Sequence, residues 1–251
     1  RDKLVTGVQT CALPIFMYAT LYGQRDGWEK AGERKAANLV FHHALSQVSF
    51  YGKLNSLLTS LGWIIEVNSI TLCNVMGQGS LPMKIVNAPT PQTLATQFTN
   101  LKTPTNYSFH MNTARQALTT TAVSKDSENK DIPLTSPTDV TMLLPQTLTA
   151  WNKTTEITPS ATNIGSYLKV ALRIKDGNSQ YIFGNETTDA VVYSPFDCGI
   201  DGGWKAGGNY KYLLTFSGGY DASGHPVIQP IEITAAIQPW TEVSTSGTAV
   251  H

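Results

Sequence analysis

Leu168, Val170, Leu172 and Ile174 alternate with Lys169, Ala171, Arg173 and Lys175. A period of two places the apolar set on one face and the long cationic stems on the other, the mark of a half-buried strand rather than a helix. The run ends at Asp176-Gly177-Asn178, a tight-turn sequence, so a hairpin to Tyr181-Ile182-Phe183 is expected. A second hairpin is read from Asn209-Tyr210-Lys211-Tyr212-Leu213-Leu214-Thr215-Phe216 through Asp221-Ala222-Ser223-Gly224 to residues 231–238. There Ile231, Ile233, Ala235 and Ile237 share one side, and Pro230 marks the upstream limit as an edge or bulge.

Serine, threonine, glycine and asparagine fill the gaps between short apolar runs, and long stretches rich in alanine, glutamate, lysine and leucine are missing. The fold class is therefore all-β. Polar turns at this spacing suggest a Greek-key sandwich.

Residues 38–50 fit two short strands with a turn between them; an interrupted helix over 44–58 competes, because Leu45, Val48, Leu54 and Leu58 sit loosely at helical spacing. Trp63-Ile64-Ile65-Glu66-Val67 and Ser69-Ile70-Thr71-Leu72-Cys73-Asn74 read as a strand pair or one long bulged strand, ending at the turn signal Gly77-Gln78-Gly79. Residues 140–146 read as a short buried strand stopped by Pro145. Residues 24–35 are the most charged stretch and read as an exposed linker or long hairpin, with a domain boundary near Ala36. About 87–137 the sequence is rich in threonine, serine, asparagine and proline, offers little to a core, and is expected to form a long polar loop with edge strands.

At 251 residues the chain can bury a core without disulfides or metal. Charged residues are 14% and cancel to zero, so there is no basic field for nucleic acid or for an anionic membrane surface. No apolar run reaches the roughly 18 residues of a membrane span. Cys73 and Cys198 lack CxxC or Cys/His zinc spacing, and either one disulfide or two buried thiols would suit them.

No catalytic residue, metal ligand or cofactor site is assigned. His42 and His43 are adjacent, so on a strand they point to opposite faces and cannot share a metal; one belongs in or near the core and the other in solvent. His110, His225 and His251 are isolated in polar segments and mark no triad. Asp197-Cys198-Gly199-Ile200-Asp201-Gly202-Gly203 and residues 221–224 lack the full acidic alternation of a calcium loop and read as turns. Trp63, Trp151, Trp204 and Trp240 belong by default to packing. Among them Trp204 is the candidate ligand contact, expected to be exposed because glycines flank it on both sides. The sequons at Asn106, Asn152 and Asn185 would mean surface glycosylation in a eukaryote and carry no meaning if the source is bacterial.

Residues 1–15 resemble the conceptual translation of a sequencing-library adapter and are set aside as a non-native leader, the alternative being a strand at 4–8. On that reading the natural sequence begins near Phe16 and its own N-terminus is missing.

Several segments together resemble the fimbrillins of the Bacteroidota, the type V pilins and their Mfa-like surface relatives. They are Phe16-Met17-Tyr18-Ala19, residues 39–48, Leu143-Leu144-Pro145-Gln146, and residues 210–216 followed by Ile231-Glu232-Ile233-Thr234 and Pro239-Trp240. It is their order and spacing over about 16–240 that carry the likeness. The resemblance implies two transthyretin-like sandwich domains on an exported lipoprotein. Residues 16–36 would then be the remnant of the N-terminal domain with its linker, and 37–251 the C-terminal sandwich. It further implies a non-enzymatic fimbrial (pilus) subunit or adhesin at the cell surface, on the outer membrane. Its membrane contact would be only a lipid anchor on the missing N-terminus, and its partners other fimbrial subunits and host or bacterial surface proteins or glycans. Members that polymerise do so by strand addition, which needs an apolar alternating donor. The tail 241–251 has only Val243 and Val250 as sizeable apolar residues, which points to a tip, anchor or accessory subunit. A surface glycan-binding sandwich is the alternative.

Overall fold

A computed structural model describes residues 17–19, 41–81, 98–118, 131–158 and 164–238. The leader, the charged linker with its boundary near Ala36, and the tail with Trp240 lie outside these residues.

β1 (Met17–Ala19) pairs antiparallel with β2 (Phe41–His43) in a two-stranded sheet. β3 (Ser46–Leu54) follows, with buried residues at every second position from Ser46 to Gly52. The two-strand reading therefore holds over 41–50, and among the described residues helix is confined to α1 (Ser56–Ser60), whose N-cap Asn55 accepts the Leu58 amide at 2.9 Å. This short turn carries the chain from one sheet to the other. β4 (Ile64–Ser80) is the single long bulged strand among the readings offered. It runs straight through Gly77-Gln78-Gly79, where a turn was expected. The glycines serve close approach instead: a Cβ at Gly77 would lie 2.5 Å from the Thr105 hydroxyl.

β5 (Thr99–Ser108), β6 (Gln116–Leu118) and β7 (Ile132–Pro133) arise within the polar region. β5 is largely exposed, as an edge strand should be. Yet Phe109, Leu118 and Leu134 from the same region enter the core, so it contributes more than its composition suggested. β8 (Thr141–Leu143) stops before Pro145. β9 (Tyr167–Lys175) turns into β10 (Tyr181–Phe183), the Asp176 carboxylate accepting the Asn178 and Gln180 amides. β11 (Ala190–Pro195) lies on the same edge of β9 as β10. β12 (Asn209–Phe216) and β15 (Glu232–Gln238) pair as expected, but the turn at 221–224 closes a small inserted hairpin of β13 (Gly218–Tyr220) and β14 (Pro226–Ile228).

Among the described residues, β10/β11, β9, β4 and β5/β6 make a six-stranded sheet, and β15, β12, β3 and β7/β8 a five-stranded one. The pairing of β3 with β12 is parallel. The two apolar faces close on one core: Phe50 of the five-stranded sheet meets Phe109, Phe196 and Tyr212, with ring centroids 4.9, 6.1 and 5.5 Å away. Val67, Ile70, Leu168, Val170 and Leu172 line the opposite layer with no exposed surface. The chain is an all-β sandwich.

Candidate functional site

Trp204 is not exposed: its relative accessibility is 0%. Gly203, at φ +71°, is buried so tightly that a Cβ would lie 2.6 Å from the Gln146 carbonyl oxygen, and this close approach turns the indole inward. The ring nitrogen donates to the Tyr212 hydroxyl at 2.6 Å, the Tyr212 hydroxyl donates to the Cys198 carbonyl at 2.7 Å, and the Trp204 amide donates to the Gln146 carbonyl at 2.9 Å. Flanking glycines thus bury this tryptophan, and no face is left for a ligand to stack on. Burial pushes the Tyr212 hydroxyl far above the ordinary tyrosine range and the Cys198 thiol up to about 12.

Trp63 is likewise core, 1% exposed, while Trp151 is half-buried. Cys73 and Cys198 are both buried free thiols and do not pair. His42 is exposed and His43 half-buried, as adjacent strand positions require; burial lowers the His43 pKa. Exposed His110 and His225 pair with Asp139 at 3.0 Å and Asp221 at 3.4 Å. The sequon asparagines serve local structure: Asn152 and Asn185 cap turns, and Asn106 accepts the Asn74 amide. Asp197 caps the Gly199 amide in the same way. A shallow recess of about 570 Å³ above Gly77, Gly79, Asn100 and Lys102 converges no set of reactive groups.

The sheet edges differ more sharply than the pockets. β5 carries positive φ at Asn100 and Thr103, has Pro104 next to them, and pairs with β4 through two register shifts. Such bulges blunt an edge against further pairing. The β7/β8 edge is broken into two- and three-residue strands, and β11 ends on Pro195. β15 is the longest unbroken edge among the described residues: all seven residues pair with β12 from Asn209↔Gln238 to Thr215↔Glu232, against six for β11 on β9, and no described strand lies beyond it. Ile233 and Ala235 anchor it on the core, while Ile237 on the same side is 63% exposed. Alternation in the sequence located this strand; only sheet order showed it to be a straight edge.

No family model and no curated protein matches the chain. Solved structures resemble it at low identity, among them the following three. A proposed cell adhesion protein from Bacteroides uniformis is 15% identical with a TM-score of 0.32, over 95% of this chain and 66% of that one. A fimbrial protein from Bacteroides vulgatus is 13% identical with a TM-score of 0.41, over 95% and 72%. A proposed cell adhesion protein from Bacteroides eggerthii is 11% identical with a TM-score of 0.40, over 90% and 63%. The chain thus spans roughly two thirds of each of these proteins.

Proposed function

We propose that this chain is a non-enzymatic subunit of a cell-surface fimbria or fimbrillin-like adhesin, joined to neighbouring subunits by backbone pairing along a sheet edge. The observation that carries the proposal is β15, the longest unbroken edge among the described residues, where β5 is bulged, β7/β8 is split and β11 is shorter and ends on proline. Main-chain pairing along such an edge supplies affinity, and side chains on alternate faces supply register. The ordered likeness of the segments quoted above to fimbrillins supports the same reading. The polar tail at 241–251 favours a tip, anchor or accessory position over the shaft.

Immunogold electron microscopy of bacteria expressing the complete gene tests this reading. Label at fibre ends or bases is expected, and it should leave the fibres when Thr234 and Ala236, both exposed on β15, are changed to lysine. Label along whole fibres would overturn the terminal position. Label confined to the cell interior would overturn the surface role.

A further inference from the structure

The outer face of the six-stranded sheet carries one cross-strand rung unlike its neighbours. Register places Tyr193 of β11 opposite Lys169 of β9, Lys169 opposite Thr71 of β4, and Thr71 opposite Ser108 of β5. Directly opposed residues share a face, and exposed Lys169 lies between buried Leu168 and Val170, so this face is the solvent side. Tyr193 is 44% exposed. Beside it, Tyr167 fills the gap between two rings, with Trp151 at 6.0 Å and Tyr193 at 5.9 Å between centroids. The Trp151 indole is fixed by donating to the Thr155 carbonyl at 2.8 Å. The Thr71 and Ser108 hydroxyls lie 3.2 Å apart. The adjacent rung, Val191, Ala171 and Ser69, adds an uncharged floor.

Charge singles out the lysine. Three cations point outward from β9. Arg173 is held by Asp189 at 2.6 Å and Lys175 by Glu66 at 2.9 Å, whereas Lys169 has no carboxylate partner among the described residues. An unneutralised ammonium beside an open aromatic ring and two hydroxyls is complementary to a sugar that carries a carboxylate. The ring meets the C–H face of the sugar, the hydroxyls exchange hydrogen bonds with its own, and the ammonium takes the anion. A protein partner would ask for a larger apolar centre than this hydroxyl-rich floor offers.

We infer that the rung Tyr193–Lys169–Thr71–Ser108, backed by Tyr167 and Trp151, is a binding platform for an acidic saccharide of the uronic-acid class. The site lies on the other sheet from β15 and does not depend on strand pairing there.

Isothermal titration of the full chain with a hyaluronan hexasaccharide, with cellohexaose as the neutral control, tests the platform. Saturable binding to the uronate that weakens with added salt is expected, with little or none to the neutral sugar. Lys169→Gln should weaken it about tenfold and Lys169→Arg should retain it, while Tyr193→Ala should cost about three- to tenfold. Lys169 is exposed and its variants should leave the melting temperature unmoved, which separates lost contacts from lost folding, whereas Tyr193→Ala also removes the ring contact with Tyr167 and should lower it slightly. Absence of saturable binding, equal binding to cellohexaose, or binding unchanged in both variants would overturn the assignment. So would self-association of the chain that Tyr193→Ala abolishes, since the face would then serve a second copy.

Discussion

The Trp204 indole donates to the Tyr212 hydroxyl at 2.6 Å, and that hydroxyl in turn donates to the Cys198 carbonyl at 2.7 Å. Trp204, Tyr212 and Cys198 are each 0% exposed. Each polar atom along this line depends on the next, because no water reaches it.

Tyr212→Phe keeps the ring but strands the indole N–H and the Cys198 carbonyl together. The expected loss is about 2–3 kcal/mol of stability. It should be read in urea as a lower midpoint at unchanged slope.

Gln146 acts as a piece of strand. Its carboxamide accepts the Met76 amide and donates to the Met76 carbonyl, both at 3.0 Å, along the stretch of β4 that β9 no longer pairs after Cys73↔Tyr167. Gln146→Leu preserves bulk and removes both bonds, for an expected cost of about 2 kcal/mol. Hydrogen exchange at the Met76 amide should accelerate well before exchange in β9 does.

Asp189 bridges two elements, accepting from the Arg173 guanidinium at 2.6 Å and from the Asn68 side-chain carboxamide nitrogen at 2.7 Å, beside the bulge between Val67 and Ser69. Arg173 is 2% exposed. Asp189→Ala should therefore cost about 3 kcal/mol by leaving a buried cation unpaired. An Arg173→Leu, Asp189→Leu double variant should recover much of that loss. Equal damage in single and double variants, measured by urea unfolding, would refute the uncompensated-charge account.

Thiol chemistry and pH report on the same core. In a Cys11→Ser background, neither Cys73 nor Cys198 should react with a disulfide reagent until the chain is unfolded, because burial raises both pKa values and blocks access. The Cys198 thiol titrates near 9 when unfolded and is pushed up to about 12 when folded. A raised folded pKa means that the unfolded chain loses its proton first. Stability should fall as pH rises from about 9 toward 12. Cys198→Ala should flatten that slope in melts followed across this range, leaving the part due to Cys73, Tyr107, Tyr167, Tyr210 and Tyr212, which are raised as well.

Alternation alone made β9 and β15 legible, since a half-buried strand must separate its faces residue by residue. The hairpins after Asp176 and around β12 were legible in outline for the same reason, together with their turn residues. Gly77 and Gly79 were misread because glycine marks both turns and close approach, and only the partner strand says which. The glycines around Trp204 misled in the same direction, suggesting looseness where Gly203 permits tight burial.

Sequence by itself determined the all-β class and the main strands, because these follow from local period and composition. Tertiary structure decided what those strands present. The parallel seating of β3 on β12, the straight outer edge of β15 and the alignment of Tyr193 with Lys169, Thr71 and Ser108 all depend on register between distant segments. Register is fixed by simultaneous packing of both sheets on one core, and no single segment carries that information.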